Sequence, residues 1–254
     1  KPENQATQFS IDTQFFRSQK RNVKIRYGTD IGSQFELKPG MENYQLSRGI
    51  VVFGDVTPEL PANDGLYIGG QLEQLSIDHW SNVMMEPGLN LEDTGKASVY
   101  PILRVLEKVD LETNTFELFG NLFDGAHINV SRNDENRWRV NVEGNSVDGE
   151  VIFPTLDEKN DPIIIALNRL RLRKIETTLN NQDRYDPRGF PSLEFSAENI
   201  IYDDVDLGTI KFSTSPHPEG LNVHSLLLQS ESFEAIAVGT WTINDDRHYS
   251  NFVT

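Results

Sequence analysis

The chain has 254 residues, of which 39 are Asp or Glu, 23 are Lys or Arg and none is Cys. A net charge of −16 argues against nucleic acid or anionic membrane surfaces as partners, because like charges would have to be brought together. The absence of cysteine excludes disulfides, thiolate metal sites and cysteine nucleophiles.

The length suits one large domain or two domains of ordinary size. The longest uninterrupted apolar run, residues 163–167, is far shorter than the ~20 residues that a membrane-spanning helix needs. No basic and apolar leader opens the chain. We therefore expect this sequence to be a piece of a longer protein.

Apolar and polar residues alternate along most of the chain. Val23 and Ile25 are separated by Lys24, and Phe35 and Leu37 are separated by Glu36. The same period recurs at Ile128 and Val130, Trp138, Val140 and Val142, Leu170 and Leu172, Leu193 and Phe195, Ile210 and Phe212, and Leu221 and Val223. A period of two places one set of side chains on each face of a sheet, so it predicts half-buried β-strands.

Turn residues separate these segments. They are Pro39-Gly40, Asn63-Asp64-Gly65, residues 133–136 (Asn-Asp-Glu-Asn), Pro218-Glu219-Gly220 and residues 244–246 (Asn-Asp-Asp). Such residues favour tight turns between neighbouring strands. The pattern predicts about fifteen strands, mostly antiparallel.

One segment departs from the period of two. Trp80, Val83 and Met84 have helical spacing, Asp78 can cap the start of the helix, and Pro87 and the glycine after it end the segment. We predict one short amphipathic helix that plugs an end or edge of the sheet.

Two segments rich in Gly, Asn, Asp and Pro are predicted to be linkers, residues 86–101 and 179–191. They divide the chain into three predicted β-segments, residues 1–85, 102–178 and 192–254. The second and third segments share a weak strand-turn-strand repeat, which suggests an extended sheet.

Signals for catalysis are poor. The five histidines are scattered, and no phosphate-binding, dinucleotide-binding or nucleophile motif is present. Carboxylates lie close together at Asp110 and Glu112, Glu194 and Glu198, residues 203–206 and residues 245–246. Neither calcium-loop spacing nor evidence of a cleft accompanies them, so we predict no catalytic residue, no metal and no cofactor.

The aromatic residues leave two interpretations open. There are 14 Phe, 7 Tyr and 3 Trp, and most belong to the apolar set of a strand. They could form the core of a sandwich or barrel, or line an open groove that holds a ligand with long hydrocarbon parts. Periodicity does not separate these two, because both bury the same face of the same strands.

A longer motif runs from a predicted strand into the predicted helix. Its pattern is Gly-Leu-x-x-x-Gly-x-Leu-x-x-Leu-x-x-Asp-x-Trp, at Gly65, Leu66, Gly70, Leu72, Leu75, Asp78 and Trp80. This stretch resembles the YhdP group of AsmA-like bacterial envelope proteins. Further matches are residues 119–124 (Phe-Gly-Asn-Leu-Phe-Asp), residues 190–195 (Phe-Pro-Ser-Leu-Glu-Phe), and residues 220–226 and 239–241.

The resemblance implies an all-β fold, an extended, mostly antiparallel twisted sheet curled into an apolar groove with one short helix. It implies a periplasmic location, within a protein of a Gram-negative bacterium that is anchored in the inner membrane. The implied role is non-catalytic: phospholipid binding in bridge-like transfer between inner and outer membranes, and hence outer-membrane homeostasis. The implied partners are phospholipid acyl chains, the neighbouring β-groove of the full-length chain and proteins of the two membranes.

We predict that apolar residues of the alternating set contact the acyl chains. They are Val23, Ile25, Phe35, Leu37, Leu66, Ile68, Leu72, Phe116, Leu118, Ile128, Val130, Trp138, Val140, Val142, Ile163, Ile165, Leu193, Phe195, Ile210, Phe212, Leu221 and Val223. The alternatives are a closed β-sandwich that acts as an envelope scaffold or adhesion module, and an envelope hydrolase that uses paired carboxylates.

Overall fold

A computed structural model describes residues 8–17, 19–41, 43–76, 104–118, 121–155, 161–173, 186–203, 205–244 and 247–254, with the backbone only at residue 118. Its strands are β1 (Phe9–Phe15), β2 (Arg21–Tyr27), β3 (Ile31–Pro39), β4 (Tyr44–Phe53), β5 (Gly65–Ser76), β6 (Leu106–Leu118), β7 (Asn121–Arg132), β8 (Trp138–Gly144), β9 (Val147–Phe153), β10 (Ile163–Leu172), β11 (Leu193–Tyr202), β12 (Val205–His217), β13 (Gly220–Gln229), β14 (Glu234–Asn244) and β15 (Arg247–Val253). A one-turn 3-10 helix, Pro187–Gly189, precedes β11.

The strands belong to one sheet whose order follows the sequence from β1 to β15. Every strand pair with a described register is antiparallel except β4/β5 and β10/β11, which are parallel. The sheet is open, since β1 and β15 stand at opposite ends of this order. The prediction of an extended, mostly antiparallel all-β sheet is confirmed.

Two compact units make up the chain. The first consists of Lys1–Phe116 with His127–Ser131, and the second of Glu117–Ala126 with Arg132–Thr254. The predicted short helix and the predicted linker at residues 86–101 lie outside the described residues. The division into three β-segments stays a prediction. No helix in the described part of the chain is long and apolar enough to cross a membrane.

The predicted turns between strands follow the local chemistry of their residues. Between β7 and β8, the Asn133 side chain accepts hydrogen bonds from the backbone N–H groups of Glu135 and Arg137. Asn136, which follows in this turn, adopts a φ of 62°, a conformation that asparagine tolerates better than most residues. Asn residues at this point therefore stabilise the reversal of the chain.

The connection from β4 to β5 packs on one face of the first unit. A side chain at Gly32 would contact Pro58 of this connection, with a Cβ to Pro Cδ distance of 3.0 Å. Arg48 donates a hydrogen bond to the Pro61 carbonyl at 3.0 Å, and Ser47 donates one to Asp64 at 3.1 Å. These contacts cover that face with protein.

Glu36 lies on this covered face and contacts two cations. Its carboxylate accepts hydrogen bonds from Lys20 Nζ at 3.0 Å and from Arg48 Nη2 at 3.3 Å. The hydrogen bond from Lys20, and to a lesser degree the one from Arg48, lowers the pKa of Glu36 below its ordinary value of 4.5. The side chain is only 12% exposed, so these contacts are partly shielded from water.

Glu36→Gln should reduce the free energy of unfolding at neutral pH by about 1–2 kcal/mol, because its charge-assisted hydrogen bonds to Lys20 and Arg48 are lost. The loss stays this small because both cations keep part of their contact with water. A lowered folded-state pKa contributes stability that is present above pH 4.5 and is lost as the pH falls through the folded-state pKa. The difference between variant and wild type should therefore shrink in acid. Urea unfolding of both proteins at several pH values measures this difference in free energy. The Glu59→Gln variant, changed at an exposed residue, is the control. An equal loss at every pH would contradict this account.

Candidate functional site

Strands β1 to β5 present one nearly uncharged surface, which we call the first apolar face. Directly paired residues point to the same side of a sheet. One row across the strands is Val23, Phe35, Gly49 and Leu66, and the next is Ile11, Ile25, Ser33, Val51 and Ile68. The rows beyond these contain Phe9, Tyr27, Ile31 and Phe53 on one side, and Phe15, Arg21, Leu37 and Leu46 on the other. This face is opposite to the one covered by the β4–β5 connection.

The first apolar face contains six of the predicted contact residues, from β2, β3 and the first part of β5. They are Val23, Ile25, Phe35, Leu37, Leu66 and Ile68. Gly49 deepens the face at its centre, because a Cβ there would lie 2.6 Å from Phe35 Cδ1. Strand β1 leaves much of its apolar surface in solvent, and Phe15 is 71% exposed.

Strands β8 to β15 present a second apolar face. The described registers place on it Trp138, Val140, Val142, Val147, Val151, Phe153, Ile163, Ile165, Leu167, Leu170, Leu193, Phe195, Ala197, Ile200, Ile210, Phe212, Thr214, Leu221, Val223, Leu226, Leu228, Gly239, Trp241 and Phe252. Every predicted contact residue of these strands is among them. No Asp, Glu, Lys or Arg is assigned to this face by the described registers.

The second apolar face contains a cavity of about 300 Å³. Its lining residues are Phe190, Leu193, Phe212, Thr214, Leu221, Val223, Leu226, Trp241, Ser250 and Phe252. Phe212 stacks on Phe195 with ring centroids 4.7 Å apart, and Phe190 lies 6.0 Å from the Trp241 ring. The cavity can hold part of a hydrocarbon ligand and offers it almost no polar group.

Phe190 reaches this cavity because the 3-10 helix before it is anchored. Pro187 is fully buried, and Asp186 binds Arg188 through side-chain hydrogen bonds as short as 2.6 Å. These hydrogen bonds, together with one from the Arg188 backbone N–H, lower the pKa of Asp186 to about 2. Asp186 is therefore ionised at neutral pH, and its contact with Arg188 stabilises the turn that ends at Phe190.

The larger cavities have a different chemistry. A cavity of about 690 Å³ in the first unit is lined by Asp30, Gln71, Glu73, Glu112 and Asn114, with Gly54 and Leu72. A cavity of about 420 Å³ in the second unit lies among polar residues of β8, β9 and β10. Volume alone would favour these two, but carboxylates and amides give no apolar contact to a hydrocarbon chain.

The carboxylates Asp110 and Glu112, one of the pairs considered from the sequence, are engaged in ordinary polar contacts. Asp110 contacts His127 Nε2 at 2.7 Å and Lys108 at 2.6 Å, and these hydrogen bonds, His127 first, lower the pKa of Asp110. Glu112 accepts a hydrogen bond from Gln71 at 2.9 Å. A lowered pKa keeps Asp110 ionised, which does not suit a general acid. No cluster of potential metal ligands occurs within the described ranges.

Five predicted contact residues lie on β5, β6 and β7, and the registers given above assign none of them to either face. Leu72 and Val130 are half-buried, whereas Phe116 and Ile128 are only 4% and 7% exposed. Such burial leaves Phe116 and Ile128 little surface for a ligand. The side chain of Leu118 lies outside the described residues.

Several residues of the second apolar face were not predicted from the sequence. Strict alternation from Val223 leads to Ser225, but an irregular register between β13 and β14 places Leu226 on the apolar face. Ser225 instead contacts Ser213 at 2.8 Å on the other side. Phe190 belonged to a predicted linker. The sequence places Trp241 only in a family motif. Its alternation with Gly239 is the pattern that could have predicted its position on the apolar face.

Comparison with protein families matches residues 1–254 to the family described as YhdP protein. The chain belongs to the YhdP family. Comparison with individually curated proteins gives no match. YhdP membership associates the chain with lipid-transport-related envelope proteins, whose role is non-enzymatic.

The structure explains two positions of the YhdP-like motif. Gly65 and Gly70, which open and close its Gly-Leu-x-x-x-Gly part, both have a φ of +109°. Residues with a Cβ rarely adopt this conformation. Between them, Leu66 and Ile68 project onto the first apolar face. The motif therefore encodes a special backbone at both ends of an apolar strand segment.

Proposed function

We propose that this chain binds phospholipid acyl chains on its first and second apolar faces and catalyses no reaction. The observation that carries the proposal is the second apolar face, where uncharged rows of side chains surround an apolar cavity of about 300 Å³. The first apolar face supports it with the same arrangement on strands β1 to β5.

The energetics favour this role. Removing a sixteen-carbon chain from a membrane into water costs about 12 kcal/mol, at ~0.8 kcal/mol for each CH₂ group. Contact with an apolar protein surface offsets most of this cost without any chemical step. The cavity lies at the lower limit of ordinary ligand sites, ~300–1,000 Å³, so it suits part of one acyl chain rather than a whole lipid.

In the full-length protein we expect these faces to belong to a longer groove in the periplasm, within an inner-membrane-anchored protein that moves phospholipid between the two membranes. Neighbouring β-groove segments and proteins of both membranes would be its partners. Family membership supports this proposal. The acidic composition supports it too, because a net charge of −16 keeps a protein with large apolar faces soluble.

Site-specific crosslinking combined with mass spectrometry tests lipid binding. A photoreactive phenylalanine at Ile25 or Phe212 should crosslink to phospholipid that co-purifies with the chain from bacterial membranes. The same group at Lys24 or Lys211 should not, because these adjacent residues project from the opposite side of their strands. Absence of co-purified lipid, or equal crosslinking on both sides, would contradict the proposal.

A further inference from the structure

Arg21 is the one charged residue that the described registers place on the first apolar face. It is the first residue of β2 and pairs with Phe15 on one side and Leu37 on the other. The row beyond it along β2, with Val23 and Phe35, is uncharged. Arg21 therefore lies at the border of the apolar face, where β1 ends and β2 begins.

Two aromatic rings hold the guanidinium in place. Its central carbon lies 3.8 Å from the centroid of the Tyr44 ring and 5.1 Å from that of the Phe15 ring. Such cation–π contacts orient the planar group and shield it from water. Ordering a long side chain in this way lowers the entropic cost of binding an anion.

Arg21 has no ion-pair partner among the residues that the structure describes. No carboxylate among the described residues lies within salt-bridge distance of Arg21, although the chain has 39 acidic residues. Its Nε is buried and has no hydrogen-bond partner. Arg48, in contrast, pairs with Glu36 on the opposite side of the sheet. An unpaired, partly buried cation beside an apolar surface is costly unless a ligand supplies the anion.

We infer that Arg21 binds the phosphate of a phospholipid whose acyl chains lie on the first apolar face. This inference rests on the proposed function. The planar guanidinium donates paired hydrogen bonds to phosphate oxygens, and a weakly solvated site strengthens them. Acyl chains that leave a phosphate at Arg21 meet Val23 and Phe35 in the next row. The net charge of the chain does not prevent this, because salt screens charges beyond ~8–10 Å.

A comparison of two lipids with identical acyl chains tests the inference. The purified chain is incubated with detergent micelles that contain equal amounts of palmitoyl-oleoyl phosphatidylglycerol and palmitoyl-oleoyl glycerol, which lacks the phosphate. Bound lipid then exchanges with the lipids of the micelles. Bound lipid is quantified by mass spectrometry after gel filtration. The variants are Arg21→Gln, Arg21→Lys and the control Arg26→Gln, whose residue lies on the same strand but on the opposite face. Thermal unfolding establishes that each variant is folded.

Arg21→Gln should lower the ratio of bound phospholipid to bound diacylglycerol by about tenfold, with diacylglycerol binding unchanged. Arg21→Lys should give an intermediate ratio, because lysine keeps the charge without the planar fork. Arg26→Gln should match wild type. An unchanged ratio in Arg21→Gln would overturn the inference while leaving lipid binding intact, whereas failure of every protein to bind either lipid would overturn the proposed function. Binding of inorganic phosphate that depends on Arg21, together with equal binding of the two lipids by the wild type, would assign Arg21 to free phosphate and overturn the lipid as its source.

Discussion

Val223→Asp should reduce the amount of co-purified phospholipid at least about tenfold, because it places a carboxylate against the acyl chain in the cavity of the second apolar face. Val223 is half-buried, so the new carboxylate keeps access to water when the cavity is empty. The variant should therefore still fold, whereas an acyl chain in the cavity would cut the carboxylate off from water and should bind poorly. Mass spectrometry of lipids extracted from equal amounts of folded protein measures the effect.

Asn222→Asp is the matched control for Val223→Asp. Asn222 is the preceding residue of β13 and points to the opposite face, where it pairs with Ser215 and Thr240. The control adds the same single negative charge with almost no change in size. It should retain the lipid content of wild type. Equal loss in both variants would point to net charge rather than to the cavity, and would count against the site.

Gly70→Ala should lower the free energy of unfolding by about 3 kcal/mol or more. Gly70 has a φ of +109°, and a Cβ there would lie 2.1 Å from the Phe53 carbonyl oxygen and 2.8 Å from the Phe53 nitrogen. Strain in this region of φ costs of order 1–3 kcal/mol, and the clash with the paired backbone of β4 adds to it. Urea unfolding followed by circular dichroism measures the loss.

Gly69→Ala provides the comparison within the same dipeptide. Its Cβ would meet only the Asp110 carbonyl oxygen, at 3.3 Å. A small local adjustment accommodates that contact, and the reduced freedom of the unfolded chain offsets part of the cost. The change should stay within about 1 kcal/mol. Similar losses at both positions would show that the backbone conformation at Gly70 is not the cause.

Much of the fold follows from local patterns. The alternation of Val23 and Ile25, or of Ile210 and Phe212, predicted strands with one apolar face, and each of these residues lies on an apolar face. Turn residues such as Asn133 predicted where the strands reverse. These features are readable because a side chain's direction along a strand depends only on its position in the period of two. The role of these residues in lipid binding stays a prediction.

The details of the candidate site depend on contacts between residues far apart in the chain. Alternation does not reveal irregular registers, so it missed Leu226, and composition placed Phe190 in a linker although it packs near Trp241. Alternation also gave no sign that Arg21 lies on an otherwise uncharged face, because that face is visible only when five strands are paired.

The sequence by itself thus determined the all-β class, the apolar faces of individual strands and the YhdP family, because each of these depends on local period and motif. Only the tertiary structure decided which residues of different strands share a surface, where the cavity opens beside Trp241 and that the buried Nε of Arg21 has no hydrogen-bond partner among the described residues. The physical reason is that register, bulges and crossover connections are selected by pairing and packing between strands, and the period of any one strand carries no record of its neighbours.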